Sequence, residues 1–163
     1  MSDYSPVKVS GFKAIDQDHR SLFDLINKLM QDDPDQQDLF DIIKALHAYA
    51  AEHFDREFQL MVACDFPAEM KQEHLLDHAR FSNRISQFTD LINSDSSRAV
   101  TELDKLVQAA KAEAGIDQVD HASPARQIAA YLTQWLIRHT NQMDQKLFDF
   151  IKQTGFDASK VNF

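Results

Sequence analysis

Glycine and proline are scarce in this chain, three and four among 163 residues, so few positions favour a sharp turn or forbid a helix. No alternation of β-branched and polar residues is present, which removes the usual signature of strands and leaves long helices. The single cysteine, Cys64, excludes an intramolecular disulfide and with it the stapled secreted scaffold. No stretch approaches the roughly 20 apolar residues of a membrane span. The opening residues Met1-Ser2-Asp3-Tyr4 lack the basic-then-apolar order of a secretory leader, and the cytoplasm is the expected location. Basic side chains are in deficit, 17 against 26 acidic, for a net charge of −9. That balance argues against nucleic acid and anionic membranes as partners, since phosphate groups need a basic surface. Internal repeats and low-complexity tracts are also missing.

What remains is ordinary globular composition, 44% hydrophobic and 26% charged, arranged with helical period. The expected fold is all-α, an up-down-up-down four-helix bundle forming a single domain over 1–163. Four amphipathic patterns run over about 16–30, 35–63, 67–93 and 124–153. The first carries Ile15, His19, Leu22, Ile26 and Leu29. The second carries Leu39, Ile43, Leu46, Ala50, His53, Glu57, Leu60 and Cys64. The third carries Met70, His74, His78, Phe81, Ile85 and Phe88, and the fourth Ile128, Leu132, Trp135, His139, Met143 and Phe150. Pro34, Pro67 and Pro124 stand where prolines start helices, Ser123 is an N-cap candidate and Gly155 a stop signal. Asp32, Asp33, Asp35 and Asp38 place favourable charge at the start of the second pattern. Residues 95–123 interrupt the regularity: Val100, Leu103, Leu106, Val107 and Ala110 predict an extra short helix, about 97–114, inserted between the third and fourth core helices.

Seven polar residues in these patterns are metal-ligand types: His19, His53, Glu57, His74, His78, His139 and Asp144. All but Asp144 fall where a core-facing apolar residue belongs. A lone histidine on such a stripe is usually a satisfied core residue, whereas an unpaired buried imidazole or carboxylate is costly. The pairs His53/Glu57 and His74/His78 are four apart and share a helix face. In an up-down-up-down bundle all seven fall within roughly 6–21 Å of one end, at 1.5 Å per residue. Chance would not align four helices this way. Five imidazoles and two carboxylates exceed one ion's needs but suit two octahedral ions bridged by carboxylates, and nitrogen with oxygen suits iron better than a closed thiolate zinc site. Asp144 follows His139 by five residues, about 140° of rotation in an α-helix, so it is expected to reach in from the shoulder of the stripe. His47 and His121 read as solvated residues, and Cys64 as an inert small hydrophobe.

The stretches Ile15-Asp16-Gln17-Asp18-His19-Arg20 with Leu22-Phe23, His53-Phe54-Asp55-Arg56-Glu57, the His74/His78 pair, and Trp135-Leu136-Ile137-Arg138-His139 followed by Asp144 together resemble the hemerythrin family, in particular bacteriohemerythrins. The resemblance spans nearly everything outside 95–123. It implies a cofactor of two non-haem iron ions, Fe2+/Fe3+, with a bridging oxo/hydroxo group, binding O2 reversibly. It further implies that His74, His78 and His139 hold one iron, that His19 and His53 hold the other beside an open position, and that Glu57 and Asp144 bridge them. Phe23, Phe54, Trp135, Leu136 and Thr140 are the candidates for the O2 pocket lining.

Three departures from the family stand out. Phe58 follows Glu57 where a second acidic residue is common. Thr140 follows His139 where a bulky aliphatic is usual, and its hydroxyl is expected to admit water or donate a hydrogen bond in the pocket, hastening autoxidation. The third is the 95–123 insertion, which joins bundle ends remote from the ligands and is expected to serve a protein partner or self-association. The expected function is O2 storage, delivery or scavenging, with no catalytic residue assigned. The alternatives are an O2 or redox sensor signalling through the inserted helix, and a di-iron enzyme acting on peroxide or nitric oxide. Fold and ligands alone do not choose among these.

Overall fold

The computed structural model describes residues 9–31, 35–93, 99–114 and 123–161, and among these every regular element is helical. Helix α1 spans Lys13–Gln31, α2 Gln36–Ala63, α3 Ala68–Ile92, α4 Ala99–Ala114, α5 Pro124–His139 and α6 Gln145–Thr154. A five-residue π-helical turn, Thr140–Asp144, joins α5 to α6, so the fourth core helix is one rod with a wider turn inside it. Helix α1 packs on α2 and α5, and α2 packs on α3, the neighbour relations of an up-down-up-down bundle.

Local signals set the ends. Asp35 caps α2 by accepting from the Asp38 amide at 2.9 Å, and Ser123 caps α5 by accepting from the Arg126 amide at 3.4 Å, with Pro124 in the first turn. Pro34, Asp32, Asp33 and His121 lie outside the described residues. Helix α2 closes in a Schellman motif: Phe66 N–H donates to the Met61 carbonyl and Asp65 N–H to that of Val62. Asp65 takes the left-handed conformation there (φ 53°), a position that usually selects glycine. Gly155 fills the same role after α6 with φ 67°. Helix α1 begins at Lys13, three residues earlier than its apolar pattern indicates. Asp16 holds that start by accepting from Ser10 N–H at 2.7 Å and Ser10 O–H at 2.8 Å.

The predicted stripes of α1 and α2 are buried throughout. They feed a larger apolar cluster running from Leu22 and Phe54 to Leu29, Phe88, Ile128 and Leu136. A smaller cluster of Ile15, Leu60, Met61, Cys64, Phe66, Leu147, Phe148 and Ile151 closes the opposite end. The α6 stripe differs from the expected one. Leu147, Phe148 and Ile151 are buried while Met143 and Phe150 are only partly so, because the π turn inserts a residue and rotates the face that follows. The inserted helix α4 lies against both α3 and α5. Its Val107 is 1% exposed in the larger cluster, and Gln127 of α5 bonds Gln108 (3.0 Å) and Asp104 (3.5 Å) of α4. Of the α4 stripe, Val107 and Leu106 are therefore used on the bundle itself.

Candidate metal centre

Between the two apolar clusters lies a polar layer containing all seven anticipated residues, each no more than 5% exposed. His19 comes from α1, His53 and Glu57 from α2, His74 and His78 from α3, His139 from the end of α5 and Asp144 from the end of the π turn. They fall into two groups that could each hold a cation: Glu57 with His74, His78 and His139, and His19 with His53, Glu57 and Asp144.

The carboxylates show how the groups relate. Glu57 Oε2 faces His74 Nε2 at 3.3 Å and His78 Nε2 at 3.1 Å, while its Oε1 faces His53 Nε2 at 3.6 Å. Asp144 Oδ1 faces His74 Nε2 at 3.2 Å and His139 Nε2 at 2.9 Å, while its Oδ2 faces His19 Nε2 at 3.1 Å. Each carboxylate thus sends one oxygen to each histidine group. On the three-histidine side, His139 Nε2 stands 3.2 Å from His74 Nε2 and 3.0 Å from His78 Nε2. Two donors ~2.1 Å from one ion at a right angle are ~3.0 Å apart, so these are the separations of neighbouring ligands.

The residues fit a metal pair on a further observation. Both oxygens of Glu57 and of Asp144, Nε2 of His53 and both ring nitrogens of His19 are buried without a hydrogen-bond partner among the described residues. Within each group, one ligand atom from every residue lies within 4.8 Å of the others. Leaving so many buried polar atoms unsatisfied is expensive, and bound cations remove the cost.

Asp144 reaches this layer frontally, and the expected shoulder approach is corrected. In the π turn the bonding partner is five residues on, so residues 139 and 144 share a face that an α-helix would deny them. Such turns recur at functional sites, since a local change of hydrogen-bond register re-aims one side chain.

Two further carboxylates back the histidines, neither of them assigned a role from sequence. Asp77 Oδ2 accepts from His139 Nδ1–H at 2.7 Å, and Arg138 donates to its Oδ1 at 3.1 Å. Asp18 Oδ2 faces His53 Nδ1 at 3.4 Å, and Arg56 Nη1 donates to both Asp18 oxygens at 2.8 Å. A carboxylate on Nδ1 fixes the tautomer and leaves the Nε2 lone pair aimed at the cluster. Each aspartate immediately precedes a ligand-type histidine, which was the only available signal, and single-stripe counting places it off the core face.

The electrostatics agree. Burial opposes ionisation of Glu57, but His53, His139, His74 and His78 outweigh it and hold the carboxyl well below its ordinary range. For Asp144, burial and Glu57 oppose ionisation, and His139 and His19 overcome them to the same effect. Burial likewise works against Asp18 and Asp77, whose pKa values are nonetheless lowered, by His53 with Arg56 and by His139 with Arg138. In the other direction, burial disfavours charge on His139, His53 and His74, yet the surrounding carboxylates raise all three. His78 is pushed down to about 4 by burial, partly opposed by Glu57, with His139 and His74 adding repulsion. The two carboxylates therefore favour positive charge beside them, while burial keeps the His78 imidazole neutral.

The proposed lining residues divide. Phe54 stacks on His78 with ring centres 3.7 Å apart, and Trp135 stacks on His139 at 4.5 Å. Leu136 belongs to the larger apolar cluster, and the partly buried Phe23 packs against it. Thr140 is buried, but its hydroxyl donates back along the helix to the Leu136 carbonyl at 2.9 Å. That single proton is already engaged, so the expected donation into the pocket is corrected. His47 is half-buried and takes no part in either ligand group, and Cys64 sits in the smaller apolar cluster with burial raising its thiol pKa.

Helical bundle, paired histidine groups and shared carboxylates define a metal-binding bundle protein. Residues 10–151 match the hemerythrin HHE cation-binding domain, and the chain belongs to that family. No curated protein and no solved structure matches the chain. Among the described residues no helix is long and apolar enough to cross a membrane.

Proposed function

We propose that the chain holds two iron ions and binds O2 reversibly as a cytoplasmic store or carrier. One observation carries the reading: Glu57 and Asp144 each divide their two oxygens between the three-histidine and the two-histidine group. His74, His78 and His139 with one oxygen from each carboxylate offer five protein donors, and His19 and His53 with the other two oxygens offer four. Ions held there would find one protein donor fewer on the second set, which would leave room on that side for an outside ligand. Bound ferrous ions would supply electrons to O2 and recover them on its release.

The chain's own residues supply the setting. Asp18 and Asp77 orient His53 and His139. The two apolar clusters above and below the layer keep bulk water away, and Phe54 and Trp135 cover the flat faces of His78 and His139. The nitrogen and oxygen donor set, with Cys64 remote in the smaller cluster, favours iron over a thiolate-type zinc site. Metal analysis together with optical spectra under air and vacuum cycling tests the reading. Paired iron with a reversible oxy band is expected. Protein that takes up zinc alone removes the claim, and irreversible oxidation with peroxide turnover moves the chain to the enzyme class.

A further inference from the structure

Outside the ligand layer, a groove of about 510 Å³ opens along α3 and α5. Its volume lies in the range of small-molecule sites, roughly 300–1,000 Å³. Asp77, Arg80, Arg84 and Gln87 face it from α3 at spacings of three and four, one helix face, and Tyr131, Trp135 and Arg138 face it from α5. One turn beyond Tyr131, Gln127 is already bonded to α4, so the groove occupies the stretch between the inserted helix and the ligand layer.

The chemistry of the walls is unlike the rest of the protein. In a chain of net charge −9, three of the seven arginines line this one concavity, against one carboxylate among the described lining residues. That carboxylate, Asp77, is committed to Arg138 and His139. Arg84 donates to Gln87 at 3.1 Å and has a further interaction besides, so it lends the groove only part of its fork. Arg80 is exposed and has no ion-pair partner among the described residues. An arginine fork matches carboxylate and phosphate oxygens in pairs, and two forks one helical turn apart suit a ligand with more than one negative charge. A concave wall containing an indole suits a small molecule better than a flat protein surface does.

We propose that this groove is a binding site for a small multivalent anion, a phosphate- or dicarboxylate-bearing compound, held by Arg80 and Arg84 with Arg138 at its inner edge. The site lies outside the metal ligands and stands independently of the O2 reading.

Trp135 is the chain's only tryptophan and lines the groove, so it reports occupancy directly. The purified full-length protein is titrated at low salt with inorganic phosphate and, separately, with succinate. Tryptophan emission is followed, with stoichiometry from calorimetry and metal content measured before and after. A saturable response at one site per chain is expected for at least one probe, and which probe answers names the ligand class. Arg80→Ala combined with Arg84→Ala should weaken it by about tenfold or more, and added salt should weaken it further. Arg126→Ala, on the first turn of α5 and outside the groove, should leave it unchanged. Arg80→Glu adds a charge-reversed variant at an exposed side chain with no ion-pair partner among the described residues, and its circular dichroism should match that of the unaltered chain. No saturable response to either probe at millimolar concentration overturns the proposal. So does a response that persists in Arg80→Glu, since it would then arise elsewhere, the ligand layer included.

Discussion

The two histidine groups are built on one plan and finished differently. Each takes one oxygen from Glu57 and one from Asp144, and each has a ring oriented by an aspartate that an arginine holds in place. The three-histidine group draws on the paired turn of α3 and the end of α5, and aromatic rings stack flat on two of its imidazoles. The two-histidine group draws on single histidines of α1 and α2, whose rings meet edge to face at 4.7 Å. A pair four residues apart on one helix is positioned by that helix alone, whereas single ligands depend on how two helices dock. The difference teaches where the protein spends its rigidity: one side takes two histidines from a single helix and offers five donors, the other takes one from each of two helices and offers four.

Removing what the groups share breaks the comparison most severely. Glu57→Gln halves the bridging charge and replaces an oxygen by an amide nitrogen that cannot ligate in the same way. Both ions should be lost, with metal content falling toward zero in elemental analysis while the helical circular dichroism remains. Full retention of paired metal would contradict the bridging geometry.

The supporting aspartates sharpen the comparison, since each serves one side. Asp77→Asn should weaken metal binding in the three-histidine group by about 10–100-fold, and Asp18→Asn should do the same for the two-histidine group. Competition titrations against a chelator resolve the two steps. Equal loss at both steps in either variant would mean that the aspartates support the whole layer and not one side each.

The smallest effect is expected from deleting Gln142, an exposed residue of the π turn. The carboxylate would then follow His139 by four residues in an ordinary α-helix, only ~40° away from it. Metal content should be unchanged and affinity altered by less than the tenfold floor set for the aspartate variants. A loss of one ion would show that the widened turn itself, and not merely the direction it gives Asp144, is required.

Much of this was legible because helical period carries it. His53 with Glu57 and His74 with His78 sit on continuous apolar stripes, and helices of this length fix the face and depth of every residue on them. His19 is equally secure once α1 is seen to begin at Lys13. Three features were not legible. The π turn that aims Asp144 is a change of backbone register, and no residue type marks it. Asp18 and Asp77 stand one residue from a ligand-type histidine, so counting along one helix places them off the stripe, although a neighbouring helix covers them. The packing of α4 on α3 and α5, and the arginine groove beside it, depend on how far those two helices stand apart.

By itself the sequence determined the all-helical class, the four amphipathic faces and the seven polar residues that interrupt them, because periodicity is a local property written into residue order. Only the tertiary structure decided how the carboxylate oxygens divide between the histidine groups, which aspartates stand behind them, and where the arginines of α3 meet those of α5. Those depend on distances between helices, and contacts across helices are set by packing that no single segment encodes.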